Sequence, residues 1–426
     1  MRKTEDPLQL EYGENIGALR VVRQAAPAGA ASFSATYVGP AGWGFDPPGE
    51  EGAARLVNQL VATATRRRDR VALARRLDRA GATLARQTSP EAGELTLWGP
   101  AGDWVELLEL LSEVVLEPRF DPEDLARTRR QMLERQLRQQ SQPASRAEFE
   151  LTRAVFPPGH PYRESGLGDR RSIARLTRSR LERFHREHYT GGGASVIVTT
   201  SAPLSAVRRA VASHFGSLGP RSAPSLRLPP LLAVRPRRVT VDLPGRSQVE
   251  VRVGGPSIPQ SSPDYPGAYL ANEVLGGRPL LARLFQRVRE QNGLAYHASS
   301  HLDSMRLGGI WSARAGTGAD RWRKVVPMLE EEVARIRRSR VGAEELRSVR
   351  ESSIGEIPLS LESTADAHEL AVDAAYHELP PDYWSAWPAR LRDVTAADVR
   401  RAAVRAFDAA RSVTVVVGPI GARPGR

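Results

Sequence analysis

The second half of the sequence repeats features of the first, and this repeat limits the possible folds more than any other feature. Residues 177–189 parallel residues 395–407 at a lag of 218 (395 − 177), and an apolar run typical of a strand follows each segment. Residues 120–125, which open a predicted helix, parallel residues 341–346 at a lag of 221 (341 − 120). Because self-similarity at a long spacing indicates duplicated structural units, we expect two similar halves.

A proline-rich stretch separates these halves. Gly219 to Arg238 reads GPRSAPSLRLPPLLAVRPRR and has neither helical nor strand periodicity. Such a composition is typical of an extended connection. We therefore predict an N-terminal half at 1–218, a linker at 219–238 and a C-terminal half at 239–426.

Each half mixes predicted strands with long predicted helices. The patterns predict strands at Ala31–Val38 and Val249–Val253, and helices at Asp121–Gln140 and Ala343–Ser353. This mixture favours helices packed on a mostly antiparallel sheet. The predicted fold class is α+β, in two copies.

The composition narrows the class of protein further. The chain has 426 residues, enough for two domains, and no cysteine, which excludes disulfides and thiolate chemistry. No apolar run follows the basic residues near the N-terminus, and no window approaches the roughly 18 apolar residues of a membrane span. We therefore expect a cytoplasmic protein with no export signal and no membrane association.

The net charge of +12 would suit a nucleic-acid-binding protein, but the distribution of the charge does not. Of the 61 basic residues, 59 are arginine (61 − 2, the lysines being Lys3 and Lys324), and they are scattered along amphipathic helices. The densest block, Arg66–Arg70, has no aromatic platform on which bases could stack and is typical of a solvated helix face. We therefore expect no nucleic-acid partner.

Two histidine pairs resemble metal sites without completing one. His185 and His188 lie close together on a predicted helix, at positions i and i+3, and we expect them at a solvent-facing helix end with no third ligand. His368 and His377, at positions i and i+9, lie on a helix predicted at 363–378. At about 100° per residue they would point to opposite faces, so a shared metal ion is not expected.

A candidate binding pair follows a predicted helix in the C-terminal half. The helix is predicted at Pro279–Gln291 with Leu280 on its apolar face, and Gly293 supplies a left-handed stop before a strand. Arg289 in the last turn and Tyr296 beyond the glycine can project toward the same space. One offers a bidentate cationic donor to carbonyl or carboxylate oxygens, and the other offers a phenolic donor.

Several modest motifs in order carry a family resemblance. Arg289 and Tyr296 are seven positions apart (296 − 289), residues 159–162 read Gly-His-Pro-Tyr, and Leu275-Gly276-Gly277 precedes the helix. In this order the chain resembles the insulinase, pitrilysin and mitochondrial processing peptidase family of zinc peptidases over roughly residues 19–418. The resemblance implies two similar halves joined by a linker.

The resemblance also shows what this chain lacks. Active members hold zinc with His-x-x-Glu-His after a glycine and with a glutamate on a later helix. The matching residues here are Arg55, Asn58, Gln59 and, at position 136 (59 + 77), Gln136. A guanidinium cannot coordinate a cation, amides are poor zinc ligands, and Asn58 cannot act as a general base. We therefore expect no metal or other cofactor in this chain and no catalysis by it alone.

The expected function follows from what is retained. The family's two-subunit members divide the zinc motif and the Arg/Tyr pair between homologous chains, so the resemblance implies a non-catalytic, substrate-binding subunit of a heterodimeric zinc metalloendopeptidase. Arg289 and Tyr296 would complete the partner's site, the partner would hold the zinc, and the substrate would be a peptide or an unfolded protein.

Three alternatives remain open at this point. A catalytically dead scaffold or peptide-binding homo-oligomer would have no need of Arg289 and Tyr296. A nucleic-acid binder would show salt-dependent retention on DNA. An independent hydrolase would need a nucleophile, but the sequence contains no Gly-x-Ser-x-Gly elbow.

Overall fold

Strands from the whole chain form two sheets. The computed structural model describes residues 5–219, 222–226, 228–231 and 237–420. Its strands are β1 (Leu10–Tyr12), β2 (Arg20–Ala25), β3 (Ser32–Gly39), β4 (Thr83–Thr88), β5 (Gly93–Pro100), β6 (Ser195–Thr200), β7 (Arg237–Asp242), β8 (Gln248–Ser257), β9 (Ala295–Met305), β10 (Gly308–Gly318) and β11 (Val413–Gly418).

Helices fill most of the remaining chain. They are α1 (Ala53–Val61), α2 (Arg70–Arg79), α3 (Trp104–Leu116), α4 (Pro122–Ser141), α5 (Pro143–Val155), α6 (Arg170–Arg175), α7 (Arg178–His188), α8 (Leu204–Phe215), α9 (Tyr265–Asn272), α10 (Trp322–Arg338), α11 (Ala343–Leu359), α12 (Thr364–Tyr376), α13 (Tyr383–Asp393) and α14 (Ala396–Ala406). Two π-helical segments follow α9, at Glu273–Gly277 and Phe285–Glu290.

The two sheets share one connectivity, to which the first sheet adds β1 at an edge. The first has the order β1-β2-β6-β3-β5-β4 and the second has the order β7-β11-β8-β10-β9. In each sheet the first strand of the repeat pairs in parallel with the last, β2 with β6 and β7 with β11, and the other neighbours are antiparallel. The predicted α+β class with two similar, mostly antiparallel halves is confirmed.

The repeat lags of the sequence reappear in the elements. The starts of α7 and α14 are separated by a lag of 218 (396 − 178), and so are the starts of β6 and β11 (413 − 195). The starts of α4 and α11 are separated by a lag of 221 (343 − 122). Thr177 and Thr395 occupy the matching N-cap positions in extended backbone, and Thr395 also forms a capping box with Asp398. The repeated sequence therefore marks repeated structure.

The compact units do not follow the order of the chain. One unit gathers residues 1–136, 165–228 and 357–386, and the other gathers residues 137–164, 229–356 and 387–426. Helix α12, from the second half of the chain, packs on β3 and β6 of the first unit, and helix α5, from the first half, packs on β8 and β11 of the second. Each sheet is thus covered by a helix from the other half of the sequence.

The expected linker at 219–238 is only partly described. Pro220, Arg221, Arg227 and residues 232–236 lie outside the described residues. The described part of this stretch has no helix or strand until β7 begins at Arg237, just before the predicted end of the linker.

The core of the first unit lies between its sheet and its helices. Large side chains with essentially no exposure, such as Tyr37 and Phe33 of β3 and Leu56 of α1, fill it. On the other side of β3, His368 of α12 is buried and joined by hydrogen bonds to Thr36 Oγ1 and Thr199 Oγ1, both 2.7 Å. Each buried imidazole nitrogen therefore has a partner.

The Gly-His-Pro-Tyr motif belongs to the core of the second unit. Tyr162 packs with Phe156 and Leu151 beside the apolar residues of β11. The buried His160 ring stacks on Phe156 with 4.6 Å between ring centroids, and its Nδ1 accepts a hydrogen bond from the Tyr162 N–H at 3.1 Å. This segment therefore stabilises a turn.

The nearby glycines are required by close packing. Gly166 and Gly168 have φ angles of +67° and +63°, which favour glycine. A Cβ on Gly166 would lie 2.6 Å from the Trp43 ring, and a Cβ on Gly168 would lie 2.1 Å from the Glu51 carbonyl oxygen. Both glycines thus hold this loop against the residues that precede α1.

Candidate functional site

Helix α1 positions the residues that correspond to the family's metal site. Gly52, with φ of 100°, turns the chain into the helix. The half-buried Asp46 carboxylate accepts hydrogen bonds from Gly52 N at 2.7 Å and from Ala54 N at 2.8 Å, which caps the helix start. Burial raises the pKa of Asp46 to about 7, although these two N–H groups lower it. The first turn of α1 is therefore held firmly in place.

Three residues of α1 face one cavity of about 300 Å³. Arg55, Asn58 and Gln59 line it together with residues 86–88 of β4 and Arg135 of α4. The buried Asn58 amide donates to the Glu94 carbonyl and the Tyr189 hydroxyl, both at 3.3 Å. The structure thus brings these three predicted positions together.

Gln136 has a different environment. Its amide donates to the carbonyl oxygen of Gly168 at 2.6 Å and does not line the cavity. The residue before it, Arg135, takes that place. In the orientation that satisfies the amide, the Gln59 oxygen accepts from both terminal nitrogens of Arg135, at 2.6 and 3.2 Å.

Zinc does not fit this set of side chains. Zinc in a catalytic site needs three imidazole, thiolate or carboxylate ligands, and the cavity offers guanidinium and amide groups. Burial and the charge of Arg135 lower the pKa of Arg55 to about 10, which still leaves Arg55 cationic at neutral pH. Within the described part of the chain, no cluster of three or more His, Cys, Asp or Glu side chains could hold a metal ion.

The second candidate set lies at the end of a π-helical segment. Val288 and Leu284 are buried as predicted, but the helix begins at Arg283 and not at Pro279. The prediction for the first turn was wrong because Leu280 adopts a φ of 68° and is 62% exposed. The stop at Gly293 is confirmed by its φ of 59° and by its N–H, which donates to the Arg289 carbonyl at 2.9 Å.

Arg289 and Tyr296 both reach the surface of the second unit. The Arg289 guanidinium lies over the Phe285 ring, 4.9 Å from the ring centroid. The Arg289 side chain is 48% exposed, and its Nε lies 3.8 Å from Glu290 Oε1. Tyr296 is 64% exposed on β9, the edge strand of the described five-stranded sheet. Its hydroxyl has no hydrogen-bond partner among the described residues. Two donors are thus available to a molecule outside the chain.

One of the two histidine pairs departs from the sequence prediction. His185 and His188 are half-buried, and each ring bonds a backbone carbonyl, Val115 at 2.8 Å and Pro40 at 3.0 Å, so the prediction of a solvent-facing helix end was wrong. His368 and His377 both border one cavity of about 530 Å³, and His377 lies just past the end of α12.

The densest basic block is engaged in ion pairs. Arg67 pairs with Glu117 at 2.9 Å, and Arg68 pairs with the buried Glu113. Arg70 lies 3.6 Å from Asp124. These arginines therefore have carboxylate partners within the protein.

Arg86 and Arg135 also line the cavity, and neither was predicted from the sequence. The spacing of the zinc motif led to Gln136, one position past the side chain that enters the cavity. Arg86 lies on β4, an edge strand of the six-stranded sheet, and nothing in the local sequence distinguishes it from the other arginines. Predicting Arg86 would have required knowing that β4 lies beside α1 in the folded chain.

No helix in the described ranges is both long enough and apolar enough to cross a membrane.

Comparisons with known proteins agree with the observed architecture. The family model of insulinase, peptidase family M16, matches residues 20–160, and the model of the peptidase M16 inactive domain matches residues 175–353. An uncharacterized zinc protease of Mycobacterium leprae is 27% identical over 351 residues, which cover 82% of this chain and 78% of that protein.

Solved structures share the fold. The crystal structure of a peptidase M16 inactive domain from Pseudomonas fluorescens has a TM-score of 0.90 at 24% identity and covers 96% of this chain and 98% of that one. The periplasmic protease PqqL from Escherichia coli has a TM-score of 0.80 at 16% identity and covers 97% of this chain and 47% of that one.

The family matches span both halves of the repeat, and the residues at the positions of the zinc ligands cannot bind zinc. Such a chain fits a non-catalytic peptidase-fold subunit. The protein belongs to the insulinase family of peptidases, peptidase family M16, as a member that lacks the zinc-binding motif.

Proposed function

We propose that this chain is the non-catalytic, substrate-binding subunit of a heterodimeric zinc metalloendopeptidase. The observation that carries the proposal is the contrast between two sites. The residues at the metal positions are cationic or amide, whereas Arg289 and Tyr296 present two exposed donors. A chain with donors but no metal ligands suits a supporting part in another subunit's active site.

Arg289 and Tyr296 would act on the substrate bound by the partner. The guanidinium can hold a backbone carbonyl near the scissile bond, and its packing on Phe285 limits its rotation. The Tyr296 hydroxyl would donate to the oxygen that becomes negatively charged in the transition state. Zinc held by the partner would supply the activated water.

The proposed partner is a homologous chain that carries His-x-x-Glu-His and the distal glutamate. The proposed substrate is a peptide or an unfolded protein, because an extended backbone offers the carbonyl groups that these donors require. We place the complex in the cytoplasm, which suits a chain without cysteine. Recovery of the chain with a periplasmic marker during cell fractionation would contradict that placement.

The test is a peptidase assay on a quenched peptide library with zinc. This chain, a motif-bearing homologue from the same genome, and their mixture are each assayed with and without chelator. We expect cleavage by the mixture alone, and we expect chelator to abolish it. Chelator-sensitive cleavage by this chain alone would refute the proposal.

Matched variants separate chemistry from assembly. Tyr296→Phe removes one hydroxyl, and we expect kcat of the mixture to fall by about 100-fold or more, the usual cost of losing an oxyanion donor. Arg289→Ala should lower kcat/KM strongly. Arg246→Ala, an exposed arginine of the same unit, is the control and should change neither constant.

Size-exclusion chromatography of each mixture shows whether the two chains still associate. Assembly without any cleavage by the wild-type mixture would instead support a peptidase-fold scaffold.

A further inference from the structure

Three arginines surround the cavity at the positions that correspond to the family's metal site. Arg55 reaches it from α1, Arg86 from β4 and Arg135 from α4. None of the three forms an ion pair with a carboxylate among the residues that the structure describes. The nearby basic block around Arg67 does have such partners. The cavity therefore concentrates positive charge, which the Asp46 carboxylate offsets only in part, at Arg55.

The protein holds two of these cations in fixed positions. Arg55 Nε donates to the Ser165 carbonyl at 2.9 Å, and its guanidinium lies 4.5 Å from the centre of the Trp43 ring. Arg135 is anchored by the Gln59 amide oxygen at 2.6 and 3.2 Å. Both anchors leave other guanidinium N–H groups free to serve a ligand, since each guanidinium carries five donors.

The cations also repel one another. Burial and then the charge of Arg135 lower the pKa of Arg55 to about 10, and the same two causes lower the pKa of Arg86. Because like charges this close destabilise the folded chain, a bound anion would relieve a cost that the ligand-free protein carries.

We propose that this cavity binds an oxyanion, a carboxylate or phosphate group, in place of the metal ion of active relatives. Planar guanidinium groups recognise such groups through paired, charge-assisted hydrogen bonds. The Thr88 hydroxyl and the Gln87 amide add neutral donors at the same wall. With Arg55 at a ligand position and with Arg86 and Arg135 beside it, the site favours an anion over a cation.

The size of the site limits the ligand. A volume of about 300 Å³ is at the lower end of small-molecule sites, which suits one anionic group with part of its carrier. The carrier is either a small molecule such as free phosphate or the carboxylate of a peptide. The inference does not depend on the proposed function, because the cavity is built entirely within the first unit.

The test is isothermal titration calorimetry of the full chain in a buffer without oxyanions. One arm uses inorganic phosphate, and the other uses a short peptide with a free C-terminal carboxylate beside its amidated form. Arg86→Ala and Arg135→Ala alter side chains outside the hydrophobic core, so both variants are expected to fold. Arg130→Ala, on the exposed face of α4, makes the same change in net charge outside the cavity.

We expect wild type and Arg130→Ala to bind with equal affinity, and each cavity variant to bind at least about tenfold more weakly. If the peptide with a free carboxylate competes with phosphate and the amidated peptide does not, a peptide carboxylate is an accepted ligand. If phosphate binds and neither peptide does, the ligand is a free oxyanion. Equal affinity in all four proteins, or no binding in either arm, would overturn the proposal.

A second measurement compares unfolding by denaturant with and without phosphate. Because removal of one cation relieves repulsion, ligand-free Arg86→Ala should unfold at a denaturant concentration no lower than wild type, and phosphate should stabilise wild type but not the variant. Stabilisation of both proteins by phosphate to the same extent would place the anion elsewhere.

Discussion

Replacement of His368 should change how the stability of the first unit depends on pH. The His368 ring is buried between α12 and the sheet, with Thr36 and Thr199 as its hydrogen-bond partners. Burial lowers its pKa to about 3, from 6.5 for an exposed histidine. At pH values between about 3 and 6.5, the unfolded chain therefore binds a proton at His368 that the folded chain does not bind.

The sign and size follow from proton linkage. Because the unfolded state binds more protons as pH falls below 6.5, this histidine makes the folded state less stable in acid. One proton changes the free energy of unfolding by about 1.4 kcal/mol per pH unit, so from pH 6.5 to about pH 4 the loss is about 3 kcal/mol. Other buried groups titrate too, so only the difference between two proteins isolates this contribution.

His368→Gln keeps a side chain that can donate and accept but cannot titrate. We expect it to cost about 1–2 kcal/mol at pH 8, where both side chains are neutral, because an amide replaces the imidazole imperfectly. The difference from wild type should then shrink as pH falls, and should reverse below about pH 5.

Hydrogen exchange resolved to the amides of α12 and β6 is the assay, with denaturant unfolding as a check on the whole chain. Rates are corrected for the intrinsic effect of pH. At pH 7.5 and above, the two proteins should differ by a constant free energy. A difference that stayed constant down to pH 4 would refute the claim that His368 is held neutral by burial.

Three further predictions concern particular positions. Gly168→Ala should destabilise the first unit by about 2 kcal/mol or more, because a Cβ at this φ of +63° would lie 2.1 Å from the Glu51 carbonyl oxygen. Unfolding by denaturant measures this loss of stability, and a loss below about 0.5 kcal/mol would contradict the prediction. Leu280→Gly should leave stability unchanged or raise it by up to about 1 kcal/mol, since φ is 68° and the side chain is exposed; a clear loss in the same experiment would show that Leu280 makes a contact of value. The purified chain, loaded with zinc and then desalted, should retain far less than one equivalent by elemental analysis, because Arg55, Asn58 and Gln59 are not zinc ligands; stoichiometric zinc would contradict this.

The fold could be predicted well from the sequence because the repeated segments form matching helices and strands in the two halves. The lag of 218 (395 − 177) that relates Thr177 to Thr395 also separates the starts of β6 and β11. Matching N-caps and matching apolar strands recur because each half forms a sheet with the same order of strands. Local chemistry, such as the stop at Gly293, was also predicted correctly.

Features that depend on distant parts of the chain were not predicted. Pro279 looked like a helix start, but the exposed Leu280 begins a turn and the helix forms only where Leu284 and Val288 can be buried. Arg86 and Arg135 come together through the packing of β4 and α4 around α1, which no local pattern reveals. Helix α5 packs on the sheet of the second unit, and α12 packs on the sheet of the first. This exchange of helices between the two halves of the sequence likewise cannot be inferred from the linker sequence.

That exchange has a consequence for synthesis on the ribosome. The predicted N-terminal half ends at position 218, but the first unit also includes residues 357–386, so its sheet lacks α12 until synthesis has passed Tyr376. Until then the face of β3 and β6 that receives α12 stays uncovered, and the emerging chain is open to chaperones and to aggregation. Separate genes for the two halves would meet the same obstacle, because each fragment would carry one helix that completes the other's sheet.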